Sequence, residues 1–102
     1  MYAIAILRYR RPIEKVLEVT ERHRAYLGGL RERGLLLAAG PFDPRTGGAL
    51  LLRVPDDAVH ETLDRIRDED PYTREGVAQY ELLPWLAGTG KEDLDTLGVK
   101  IG

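Results

Sequence analysis

The chain has no cysteine. Disulfides, thiolate nucleophiles and cysteine-bound metal centres are excluded, and the composition carries no mark of a redox compartment. Its only two histidines, His23 and His60, have no third ligand clustered near them, so no metal centre is expected. No apolar run approaches the roughly 20 residues that a spanning helix needs, and no membrane partner is expected. Neither sign of charge dominates: 15 Lys and Arg against 17 Asp and Glu leave a net charge of -2, too little to point to nucleic acid or a membrane surface. Residues 1–7 are apolar but run straight into Arg8, Arg10 and Arg11, without the leading positive charge or small-residue cleavage site of a secretory signal. The expectation is a cytoplasmic protein. A Walker loop, a GxGxxG after a strand and a Ser-His-Asp context are also lacking, so nothing points to nucleotide chemistry or a serine hydrolase.

What is present is a single small domain: 102 residues leave no room for a second core. Residues 2–9 form a near-continuous apolar run with the length and Ile/Leu content of a buried strand. Pro12 suits the first turn of a helix, where its missing N–H is no loss, and the helix should run to about Arg33 with Gly34 as a left-handed cap. Gly28 and Gly29 interrupt it at a cost of roughly 1 kcal/mol each. They are either tolerated flaws or points of close backbone approach. Residues 35–39 and 49–54 read as second and third strands, paired antiparallel across a loop rich in Pro and Gly. Pro55-Asp56-Asp57 should start a second helix, with Asp56 or Asp57 as N-cap and Val59, Leu63 and Ile66 as its buried stripe. Asp70-Pro71 should stop it, because the residue before proline avoids the α region. Residues 77–83 read as a fourth strand, closed by Pro84-Trp85.

The order β-α-β-β-α-β is that of a ferredoxin-like α+β subunit with a four-stranded antiparallel sheet. Two helices cover only one face of such a sheet. Yet the first three strands are apolar at both alternating positions, whereas a wet face would alternate apolar with polar. The chain holds no spare element large enough to cover the second face, so a second copy of the protein is expected there, giving a homodimer with a barrel-like core.

Ile13, Val16, Thr20, His23, Leu27 and Leu30 recur at steps of three or four, which puts His23 on the core face of the first helix. A lone histidine in that position is commonly satisfied by a backbone carbonyl. Asp70 carries two readings as well: a terminator bonding local backbone N–H groups, or a carboxylate kept for another reason, since the macrodipole disfavours it at a helix C-terminus. Taken in order, His23 with Tyr26-Leu27, Ala39-Gly40-Pro41, and Asp70-Pro71-Tyr72 followed by Gly76 make the chain resemble the YciI-like family over about residues 2–86. Residues 87–102 would be a C-terminal tail, with an apolar trace at Leu94, Leu97, Val99 and Ile101 expected to pack on the domain or its partner.

The resemblance implies a dimeric α+β barrel and a site at His23 and Asp70. A carboxylate beside an imidazole fixes its tautomer and raises its basicity, which makes a general base. It further implies a cofactor-independent lyase or isomerase, dehydrochlorinase-like, acting on a small cyclic or aromatic molecule. Tyr9, Gly40, Pro41, Phe42 and Tyr72 are the expected substrate-binding residues, and Trp85 is a further candidate for the cleft wall. The alternative from another class is a dimeric module that binds a small metabolite without transforming it. Arg8-Tyr9 at the end of the first strand, Val19 and Thr20 before the histidine, and the short loop at residues 42–48 depart from the family pattern, so the substrate is expected to differ. Arg8, Arg10 and Arg11 are read as a solvated rim and His60 as exposed.

Overall fold

A computed structural model describes the backbone of residues 1–101 and the side chains of residues 1–97. Strand β1 (Tyr2–Tyr9) leads to helix α1 (Ile13–Glu32), and strands β2 (Leu36–Pro41) and β3 (Gly47–Arg53) form a hairpin. Helix α2 (Val59–Glu69), a single turn α3 (Pro71–Arg74), strand β4 (Ala78–Trp85) and helix α4 (Lys91–Ile101) complete the chain. The sheet order is β2-β3-β1-β4 with every pairing antiparallel, the ferredoxin-like arrangement that the element order implied.

Local chemistry explains most boundaries. The backbone N–H groups of Lys15 and Val16 both turn back to the Pro12 carbonyl, starting α1. Gly34 adopts a φ of 74°, and the N–H groups of Gly34 and Leu35 close onto the carbonyls of Arg31 and Leu30, ending it. A side chain at Gly28 or Gly29 would meet open space, so close approach within the subunit does not account for them. Neither Asp56 nor Asp57 caps α2; its N-cap is Ala58, without a side-chain bond. Asp56 is instead drawn to the ammonium group of Met1, which the strand pairing brings alongside.

Gly47 and Gly48, read as loop, belong to β3 because three strands crowd there. A Cβ on Gly47 would stand 1.9 Å from the Leu7 carbonyl oxygen, and one on Gly48 2.6 Å from that of Gly40. Only glycine permits that approach. Strand β4 likewise runs through Pro84 instead of ending before it, since an edge strand tolerates a missing ladder donor.

The two faces of the sheet differ. Ala3, Ala5 and Leu7 of β1 and Leu50 and Leu52 of β3 join Val16, Leu30, Leu63 and Ile66 from the helices in one buried core. On the opposite face Ile4, Ile6 and Leu51 are half-buried, and Leu83 and Trp85 are exposed. The tail covers part of this second face. Tyr2 shares a face with Ile4, and its hydroxyl donates to Asp95 of α4, which also touches β2. The reading that the chain holds no further element for this face is corrected by α4. Its cover is partial: Leu94 is half-buried and Leu97 exposed, while Val99 and Ile101 lie outside the described side chains. Among the described residues no helix is long and apolar enough to cross a membrane.

Candidate functional site

Helix α1 presents Thr20, His23 and Leu27 toward the end of the sheet where β1, β2 and β3 meet the loop at residues 42–46. Asp70 reaches the same place from the junction of α2 and α3. Its backbone is extended (φ -67°, ψ 128°), as a residue before proline must be, and Pro71 then opens α3 at a first-turn position. Asp70 is completely buried, and both its oxygens face the Nδ1 of His23, at 2.8 and 3.0 Å. The two readings of Asp70 prove compatible. It caps α3 by accepting the Tyr72 backbone N–H at 2.9 Å, and it holds the histidine.

The hydrogen-bond inventory assigns the protons. One Asp70 oxygen already accepts a backbone N–H and the other accepts the hydroxyl of Tyr80 from β4. A carboxylate serving two donors receives a third from Nδ1–H of His23. In the neutral ring the lone pair then sits on Nε2, on the far side of the imidazole, which has no partner among the described residues. Tyr72 stacks on the ring with centroids 3.8 Å apart and planes 4° from parallel, which fixes its tilt. Thr20 donates its hydroxyl proton to the Val16 carbonyl at 2.9 Å, so the 2.8 Å contact between Thr20 and Tyr72 is donated by the tyrosine. Each residue that orients His23 is itself held.

Burial pushes the hydroxyls of this cluster up from their ordinary range. Tyr80 is raised strongly by burial and then by the charge of Asp70. Tyr72 is raised by burial, against its hydrogen bond with Thr20. Tyr26, which donates to the Ile66 carbonyl at 2.8 Å and ties α1 to α2, is pushed up to about 12, mainly by burial. These phenols act as donors and stay protonated across the neutral range.

Beside His23 lies a cavity of about 170 Å³ with a mainly apolar lining. Of the residues read from the sequence, His23, Tyr9, Gly40, Pro41 and Tyr72 line it. Asp70 stands behind His23, not in the wall. Phe42 does not line the cavity; it is 41 % exposed, because the chain turns outward after Pro41. Trp85, at the far end of β4, is exposed and also outside the lining. Arg8 pairs with Glu81 at 2.8 Å, Arg10 and Arg11 are exposed, and His60 is exposed on α2. The sequence reading missed Tyr80, Arg24 and Arg45. For Tyr80 a signal existed: alternation puts Ala78, Tyr80 and Leu82 on the helix-covered face, where a hydroxyl needs a partner. Among the described residues no three metal-capable side chains converge.

A family model described as the YCII-related domain matches residues 2–86. The chain belongs to the YCII-related domain family. The match spans every site residue just described and stops before α4. Among solved structures, this YCII-related domain is similar to 5-chloro-2-hydroxyhydroquinone dehydrochlorinase from Burkholderia phenoliruptrix AC1100, determined in complex with 2,5-dihydroxybenzoquinone. The TM-score is 0.67 at 23% sequence identity, covering 87% of this chain and 97% of that one, a likeness of fold. No curated protein matches the chain.

Proposed function

We propose that this YCII-related domain is a cofactor-independent lyase or isomerase that removes a proton from a small cyclic or aromatic molecule. The observation that carries the reading is the 2.8 Å contact between His23 and fully buried Asp70 beside an apolar cavity. Nε2 takes the proton, and Asp70, bonded to Nδ1, keeps the ring in the competent tautomer and stabilises the imidazolium that forms. The stacked Tyr72 prevents the ring from rotating off the substrate. The dehydrochlorinase to which the fold is similar acts on a small aromatic molecule, which supports the substrate class.

In this reading the working unit is a homodimer. The half-exposed Ile4, Ile6 and Leu51 and the exposed Leu83 form the surface that a second copy would cover, leaving the His23 cavity on the other side of the sheet. Light scattering at micromolar concentration should give twice the subunit mass of 11.5 kDa, and a single-subunit mass would contradict the pairing.

The test of the chemistry is a thermal-shift screen with small aromatic and lactone acids, followed by NMR of the hits in deuterated water. Exchange of a ligand C–H for deuterium is expected with the wild-type protein. It should disappear in His23→Gln, which retains a donor for Asp70. Ligands that bind without any exchange or turnover would make the protein a metabolite-binding module instead.

A further inference from the structure

The cavity lining contains two arginines, Arg24 and Arg45, and no carboxylate. Neither arginine has an ion-pair partner among the described residues, although Arg8, Arg22 and Arg67 all do. Arg45 is nevertheless placed: its Nε donates to the Tyr9 hydroxyl oxygen at 3.2 Å. Tyr9 in turn meets Tyr72 edge-on, with centroids 6.1 Å apart and planes at 87°. The hydroxyls of Tyr9 and Tyr72 also interact, and Arg45 reaches both of them. A guanidinium and a phenol hydroxyl thus line the same small cavity as His23.

We propose that Tyr9 and Arg45 form an oxyanion corner, with Arg24 adding positive charge at the cavity rim, so that the site selects a ring bearing an anionic oxygen. This rests on the proton-abstraction reading and names its substrate class: a small cyclic, enolisable ketone that also carries a carboxylate or phenolate oxygen. When the C–H bond breaks, the proton goes to Nε2 and the bonding electron pair moves onto the ring carbonyl oxygen. The resulting enolate oxygen receives hydrogen bonds from Tyr9 and Arg45, and return of the proton from Nε2 closes the cycle. Charge-assisted donors aimed at the oxygen where charge develops stabilise the transition state more than the ground state. An apolar wall of Leu7, Leu27 and Leu50 suits the ring itself.

The test compares benzoate with benzamide, a neutral molecule of nearly the same shape, by NMR titration of the wild-type protein and three variants. Benzoate is expected to bind about tenfold or more tightly than benzamide and to shift the amides of Ala39, Gly48 and Tyr72. Arg45→Met should remove that preference by weakening benzoate much more than benzamide, and Tyr9→Phe should weaken benzoate severalfold. Arg8→Gln, which deletes a charge outside the cavity, should leave both affinities as they are. Equal affinity for the two probes, binding of neither, or a benzoate affinity unmoved by Arg45→Met would overturn the corner. Catalysis is judged separately: if benzoate preference holds but no ligand C–H exchanges in deuterated water, the anion site stands and the proton-abstraction reading falls.

Discussion

Leu51 and Leu52 are consecutive on β3 and face opposite sides of the sheet. Leu52 is fully buried under α1 and α2, whereas Leu51 is half-buried on a face that α4 covers only at one end. The helix-covered face also holds the deep polar groups His23, Asp70, Thr20 and Tyr80, each with a partner. The open face offers Ile4, Ile6, Leu51 and Leu83, side chains suited to packing and to nothing else. In the proposed reading, chemistry and assembly are divided between the two faces. Polar groups sit where helices can shield and orient them, and apolar surface is left where another body can cover it.

The largest expected effect lies on the closed face. Asp70→Ala leaves Nδ1 of His23, the Tyr72 N–H and the Tyr80 hydroxyl without their acceptor, and denaturant unfolding should show a loss of about 3–5 kcal/mol. Removing the charge pair on the open side is the control. Arg8→Ala breaks a bond to Glu81 between two exposed side chains and should cost about 0–1 kcal/mol. Comparable losses for the two would erase the distinction between the faces.

The leucine pair sharpens it. Leu52→Ala should cost about 2–5 kcal/mol at any protein concentration. Leu51→Ala should cost less in the isolated subunit and show itself as a weaker dimer, read as mass against concentration in light scattering. An unchanged mass profile for Leu51→Ala would leave the open face without the proposed role.

A smaller effect comes from alkali. The folded-state value of Tyr26 lies at about 12, above its ordinary 10.0, and those of Tyr72 and Tyr80 are also raised. A phenol whose folded value exceeds its unfolded one contributes stability that is complete below the unfolded value and lost as pH rises through the folded one. Stability should therefore hold up to about pH 10 and decline from 10 to 12. Tyr26→Phe, lower in stability at neutral pH for want of its bond to Ile66, should show a shallower decline.

Much of this division was legible in the sequence. The 3.6-residue period placed His23 inward, Asp70-Pro71 fixed the end of α2, and the doubly apolar strands announced a second apolar face. What escaped depended on distances along no single element. Arg45 reaches the cavity only because the loop at residues 42–46 folds back over β1, and nothing in its neighbours signals that. Tyr80 meets Asp70 across a strand and a helix junction. Asp56 had the chemistry of an N-cap, but a terminal ammonium beside it offered a stronger partner. Helix α4 was read only as an apolar trace because glycines flank it and its first turn is charged.

The central claim is that Asp70 holds His23 with its proton on Nδ1 and a bare Nε2 beside the cavity. Nitrogen-15 NMR of the His23 imidazole, recorded on ring-labelled protein at a pH where the ring is neutral, reads this directly and needs no substrate. The expected spectrum shows a protonated Nδ1 and an unprotonated Nε2, with the pattern lost in Asp70→Asn. A ring protonated on Nε2 would contradict it, because no base would then face the cavity.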